Sequence, residues 1–277
     1  MDSKQPTSAP TLRMSFLAAA LFAIASRLLW ANLVALVESM RPGAALDLVT
    51  VTGLHAATTL ALVLLVARLY ARELPLRTLL ALRSTGSLVL FTSCLAGATA
   101  EVPVAYAERF WAARFPLTES EQAEVSRMIS METTPSKIIV FVCIAVLWPV
   151  MFELFFRGAL FGRLRLSRDA TTSTLSVAAF YALSLGTPRA LPSALFLGLA
   201  TTALRSRSGS TVTALGFHVA FMSAAVIREV RGPSDEALGP RHVAIAASLL
   251  VVVLGALFFG LRTDRRVLEA RAADDVG

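Results

Sequence analysis

The sequence predicts an all-α, polytopic transmembrane helix bundle of about eight spans, with its most specialised part in the second half. Three observations carry this. Hydrophobic residues make up 56% of the chain and charged residues 16%, against about a quarter charged in soluble domains. Apolar runs of about 20 residues recur along the length, each long enough to cross about 30 Å of hydrocarbon. The arginines sit at the ends of those runs, as the positive-inside rule requires.

The candidate spans cover roughly residues 14–36, 45–68, 86–106, 137–162, 170–187, 190–204, 210–228 and 241–261. The first follows a short polar tail. Within it, Ala23-Ile24-Ala25 resembles a signal-peptide cleavage site, but apolar character resumes past Arg27 to Val37, so the segment reads as a retained span. Arg27 and Asn32 lie inside it, five positions apart, and could bond across helices; Arg27 is far enough in to need a partner or to snorkel. Span 2 contains His55. Glu101 lies near the end of span 3, close enough to the interface to be solvated. The stretch from Ala107 to Ser136 is the longest polar one and reads as a loop or an amphipathic surface helix. Pro135-Ser136 introduces span 4. Spans 5 and 6 are the weakest, being short and joined by a tight Thr187-Pro188-Arg189 turn. Arg207-Ser208-Gly209-Ser210 separates spans 6 and 7.

The expected organisation is therefore an N-terminal tail (1–13), three flanking helices (14–106), an extracytoplasmic loop (107–136), a four-helix core (137–230) and a last span with its tail (231–277). With the N-terminus cytoplasmic, the same face collects Arg68, Arg72, Arg77, Arg83, Arg163, Arg165, Arg168, Arg205 and Arg207. The opposite face holds Glu108, Glu119, Glu121, Glu124 and Glu132. An even number of spans, with both termini cytoplasmic in a multi-pass protein of the cell membrane, satisfies that asymmetry. The net charge of +7 is spread over span ends. It points to the lipid bilayer and its anionic headgroups as partners, not to nucleic acid. Cys94 and Cys143 fall within spans and read as small apolar fillers. No internal repeat is present, which weighs against a carrier built from symmetric halves.

The chemistry concentrates in Trp148-Pro149-Val150-Met151-Phe152-Glu153-Leu154-Phe155-Phe156-Arg157-Gly158. Ionisable groups inside a span are costly and mark a functional site by default. The i, i+4 spacing places Glu153 and Arg157 on one helical face, as a site or as an ion pair pinning two helices. Gly158 permits close approach of a neighbouring backbone. Span 5 carries Phe180-Tyr181-Ala182-Leu183-Ser184, where a helical serine ordinarily bonds back to its own helix. Span 7 carries His218, as a site residue or as a hydrogen-bond partner for another helix.

In this order these segments resemble the CPBP family, the Abi and CAAX prenyl protease type II group of intramembrane endopeptidases. That family carries Glu-Glu-x-x-x-Arg running on as Phe-Arg-Gly, then Phe-x-x-x-His, then His-x-x-x-Asn or His-x-x-x-Asp after a loop often reading Arg-Thr-Gly-Ser-Leu. The matching positions here are Phe152 to Gly158, Phe180 to Ser184, and Arg207-Ser208-Gly209-Ser210-Thr211 followed by His218 to Met222. The resemblance spans roughly residues 137–230. It implies a hydrolase acting on peptide bonds, with Glu153 and His218 as catalytic candidates and Arg157 and Gly158 as structural supports of the site.

The departures limit that implication. The family's leading glutamate, its general base, is Phe152 here. The second-motif histidine is Ser184. The third-motif asparagine or aspartate is Met222. Hydrolysis needs a base for water and donors for the developing oxyanion, and phenylalanine supplies neither. Glu153 is about 100° around the helix from position 152, and turning inward would separate it from Arg157. Glu153 and His218 make two metal ligands where a catalytic zinc takes three and a water, so no metal or other cofactor is expected. The reading that results is a degenerate protease homologue, a pseudoenzyme acting by binding a peptide or a lipid-modified protein tail. The alternative is an active endopeptidase with a site rebuilt from Glu153, His55 and His218.

Overall fold

The computed structural model describes residues 13–41, 46–231 and 239–274, with side-chain surroundings up to residue 261. Most of the expected N-terminal tail and the last three residues lie outside the described residues. The described chain is all-helical: α1 (Phe16–Met40), α2 (Leu48–Tyr70), the short α3 (Leu76–Leu79), α4 (Ser87–Ala112), α5 (Glu119–Met128), α6 (Thr134–Leu164), α7 (Ala170–Ser184), α8 (Leu191–Ser208), α9 (Thr211–Arg231) and α10 (Pro240–Asp274). The all-α polytopic bundle expected from the sequence is the fold observed.

The helices begin where side chains can take up free backbone N–H groups. Ser15 accepts from Ala18, Asp47 from Thr50, and Asp169 from Thr172. Thr118 and Glu121 close a reciprocal capping box on α5. Thr133 and Ser136 do the same on α6, so that helix starts at Thr134, three residues before the expected 137. The expected loop 107–136 is largely helical. α4 runs on to Ala112, and α5 fills the middle with no buried residue, the surface helix that the sequence offered as one option.

Among the described residues six helices are long and apolar enough to cross a membrane: α1, α2, α4, α6, α9 and the Pro240–Leu261 part of α10. The two weakest predicted spans exist as helices but fall short of that measure. α7 has 15 residues, about 22 Å at 1.5 Å per residue. It is cut off by Gly186, in the left-handed region with φ of 67°, and by the turn at Pro188. α8 has 18 residues and ends in Arg205 and Arg207. They pack against each other, α7 also against α1 and α8 against α9, and each keeps an exposed face, at Leu175 and Leu183 on α7 and at Leu195 and Leu199 on α8.

α4 is the spine, packing along α9 and α10. Gly97 brings it onto α9: a Cβ there would sit 2.1 Å from the Phe217 carbonyl oxygen. α6 runs through the centre of the fold and is not a uniform α-helix. Its turns widen to π-helical geometry over Phe141–Leu147 and Glu153–Leu160. Pro149 follows the first widened stretch. Its ring has no N–H and would crowd the carbonyl four residues back in a regular helix, a conflict that widened turns relieve. π-Helical turns concentrate at functional sites, and here the second contains Glu153, Arg157 and Gly158. The main core packs around its far end, on Phe155, Phe156, Leu160 and Leu164.

Two sequence expectations about in-span polar residues need correction. Asn32 reaches no other helix; its amide donates to the Leu28 carbonyl one turn back. Glu101 is not solvated. It is 2% exposed and accepts from Arg228 Nε at 2.8 Å. A buried carboxylate requires such a partner, and Arg228 was hidden from the sequence argument because it lies 127 positions away.

Candidate functional site

Glu153 and Arg157 are both fully buried, and His218 is 2% exposed. Glu153 Oε1 lies 2.8 Å from His218 Nδ1 and 3.3 Å from Arg157 Nη1. One carboxylate oxygen thus serves the histidine and the arginine together. The expectation that an inward-facing Glu153 must abandon Arg157 was wrong, because the shared oxygen and the widened helical turn keep both within reach. An ionised carboxylate only accepts hydrogen bonds, so toward such a carboxylate His218 Nδ1 is the donor. Glu153 Oε2 has no hydrogen-bond partner among the described residues.

Arg157 is held mainly through Nε and Nη2, while Nη1 makes the ion-pair approach to Glu153 but no hydrogen bond among the described residues. Its Nε donates to Thr202 Oγ1 at 3.2 Å, and its Nη2 to the Gly198 carbonyl at 3.1 Å and the Leu197 carbonyl at 3.4 Å. Its guanidinium carbon lies 4.6 Å from the Tyr181 ring centroid, in cation–π range. Sequence reasoning missed Thr202, Gly198 and Tyr181. The available signal was the polar and small Gly198-Leu199-Ala200-Thr201-Thr202 run in α8: a buried guanidinium has five donors to satisfy, and such a run can supply acceptors. Gly198 also lets α8 press against α7, where an added Cβ would stand 2.9 Å from the Ala178 carbonyl oxygen. Gly158 has the close-packing part expected of it, with Leu80 where its Cβ would go, at 2.9 Å.

Phe152 divides the interior. Its ring centroid is 4.8 Å from that of His55 and, nearly parallel, 6.5 Å from that of His218. It also meets Tyr181 edge-on at 5.2 Å. On one side lies a cavity of about 280 Å³ that includes His218, Tyr181, Phe221 and Met222, with the Glu101–Arg228 pair and Glu108 also on its wall. Glu108 accepts from Ser193 at 3.0 Å. On the other side lies a smaller cavity with His55, Trp30, Arg27 and Ser184 on its wall. Phe152 lines both.

Of the residues considered for a rebuilt site, then, Glu153 and His218 converge, while His55 and Ser184 open onto the far side of the ring. Ser184 Oγ donates to the Tyr181 carbonyl at 2.7 Å, the ordinary habit of a helical serine. Phe180 faces α1, its ring 5.2 Å from that of Phe16. Among the described residues no group of three or more His, Cys, Asp or Glu side chains is placed to hold a metal ion. Because Ser184 serves its own helix, Ser184→Ala is expected to shift the thermal midpoint in detergent by the equivalent of no more than about 0.5 kcal/mol.

Comparison with curated proteins and with solved structures returns no match to this chain. A family description does match: residues 134–224 fit type II CAAX prenyl endopeptidase Rce1-like. That stretch opens at the first residue of α6 and closes within α9, so it contains Glu153, Arg157, Thr202 and His218. Residues 134–224 are thus similar to an Rce1-like domain, of the type II CAAX prenyl endopeptidase kind, within a chain whose described residues include six helices long and apolar enough to cross a membrane.

Proposed function

We infer that this protein is a degenerate member of its family that binds a peptide or lipid-modified tail without cutting it. The Phe152 ring carries the reading. It stands where the family's general base is implied, and it fills the space between the two imidazoles with hydrocarbon. Glu153, the neighbouring carboxylate, is already engaged by His218 and Arg157 through one oxygen. The cavity beyond has apolar walls at Phe152, Phe221 and Met222 and a polar margin at Glu101, Glu108 and Arg228. Its volume of about 280 Å³ sits near the lower end of small-molecule sites. It suits an extended chain end carrying one apolar group. The protein would work in the cell membrane with both termini cytoplasmic, as the arginine distribution favours.

The test is restoration. Phe152→Glu, Ser184→His and Met222→Asn are introduced together, and cleavage of a prenylated tail peptide is followed beside the native protein. The restored form is expected to cleave and the native form to bind without cleavage. Native cleavage that disappears in Glu153→Gln would overturn the reading.

One observation favours a second reading. Glu153 contacts His218 in the manner of an acid–base dyad, and His218 also lines the cavity. In an active enzyme His218 would take the proton from water and Glu153 would hold its tautomer. The same assay separates the two, because only that enzyme loses native turnover in His218→Ala.

A further inference from the structure

Among the described residues Arg27 has no carboxylate partner. It lies eleven residues beyond Phe16 in a helix of 25, about 17 Å from the helix start and so near the middle of about 30 Å of hydrocarbon. That is too deep for its side chain to snorkel comfortably to either surface. Among the described residues it makes no hydrogen bond or ion pair. Its guanidinium carbon lies 4.9 Å from the Trp30 ring centroid. On another side the backbone of Gly186 presses close, since a Cβ there would meet Arg27 Nε at 2.8 Å. A charged side chain at this depth calls for a counter-charge or a polar cavity.

Its surroundings describe what could supply that charge. The small cavity beside it, about 80 Å³, is also lined by Trp30, His55 and Ser184, and no acidic side chain lines it. Trp30 Nε1 and His55 Nδ1, on two of the residues that line it, are buried and have no hydrogen-bond partner among the described residues. Buried polar atoms are nearly always satisfied by protein, water or ligand. Arg27 and Ser184 also line an adjoining cavity of about 250 Å³, whose other walls are Ala20, Ala23, Ile24, Leu28, Phe180 and Leu183. One end of the combined space is cationic and donor-rich; the other, between α1 and α7, is hydrocarbon.

We propose that this space between α1 and α7 binds a long-chain fatty acid, its carboxylate on Arg27 and its alkyl chain along Ala20, Ile24 and Phe180. A guanidinium matches a carboxylate in shape and charge. The head cavity is small, and it offers one cation, which suits a singly charged head. The adjoining space is one channel, which suits one chain. This site lies across Phe152 from His218, so it stands or falls independently of the tail-binding reading.

The test uses the full-length protein, delipidated in a non-ionic detergent, with radiolabelled palmitate in equilibrium dialysis. One saturable palmitate per chain is expected. Arg27→Gln is expected to weaken it by about tenfold or more, the worth of a charge-assisted hydrogen bond. Ala20→Phe, which narrows the channel and leaves Arg27 in place, is expected to weaken it as well. Helical circular dichroism and elution volume check that both variants fold. Competition on the native protein needs no variant: hexadecanol, which has the chain but no charge, should displace palmitate at least about tenfold less well than unlabelled palmitate does. Equal displacement by hexadecanol, unchanged affinity in folded Arg27→Gln, or uptake that never saturates would each overturn the proposal. Hexadecyl phosphate binding tenfold tighter than palmitate would overturn the carboxylate assignment.

Discussion

Arg157→Met is expected to cost the folded protein about 3–5 kcal/mol, the usual penalty for stranding one member of a buried ion pair. The methionine fills the volume but leaves the Glu153 carboxylate without its cation at zero exposure. It also removes the donors to Thr202 Oγ1 and to the Gly198 and Leu197 carbonyls, although those carbonyls keep the hydroxyl bonds from Thr202 and Thr201. Thermal unfolding in detergent, followed by intrinsic fluorescence, reads the loss. Arg157→Lys should recover little of it, because one ammonium cannot span a fork of acceptors on α8 and the carboxylate on α6 at once. The double variant Glu153→Gln with Arg157→Met should be less damaged than the two single costs added together, since no lone charge is then left inside. Strict additivity would show that the pair is not energetically coupled.

Gly97→Ala is expected to be almost as severe, at about 3 kcal/mol, the upper end of overpacking penalties. The added methyl would fall 2.1 Å from the Phe217 carbonyl oxygen and 2.9 Å from its carbon. Those are backbone atoms, so no rotamer change relieves the clash and α4 must back away from α9. The next residue on α9 is His218, so the 2.8 Å contact to Glu153 should lengthen with it. Gly53→Ala is the control. Nothing stands within 4 Å of its Cβ position, and replacing a mid-helix glycine by alanine should leave stability unchanged or improve it by about 0.5–1 kcal/mol. The two variants measured side by side by thermal unfolding separate the close approach from any general intolerance of α-helical glycine replacement.

The helical bundle was legible because span length and arginine placement are properties of short windows. The site was legible in part. Glu153, Arg157, Gly158 and His218 stood out because each is unusual in its own apolar surroundings, and the structure gathers the first, second and fourth into one contact set. What the sequence hid was anything set by helix rotation. A uniform 100° per residue places Phe152 and Glu153 on different faces, whereas π-helical turns let both look inward. The acceptors for Arg157 lie about 40 positions downstream, and no local pattern could assign them to it. Glu101 was misread for the same reason, its cation lying on a helix that only the fold brings alongside.

The short helix α3 bears on where this domain can be cut. Thr211 donates its N–H to the Ala81 carbonyl and its hydroxyl to the Leu80 carbonyl, Ser210 donates to the Arg83 carbonyl, and Gly158 lies flush against Leu80. The stretch from 80 to 83 therefore plugs the junction of α6, α8 and α9 although it lies more than fifty residues upstream of the family match. A fragment trimmed to 134–224 would leave that socket gaping and the Gly97 groove bare, so the outline drawn by kinship is smaller than the smallest piece that can stand by itself.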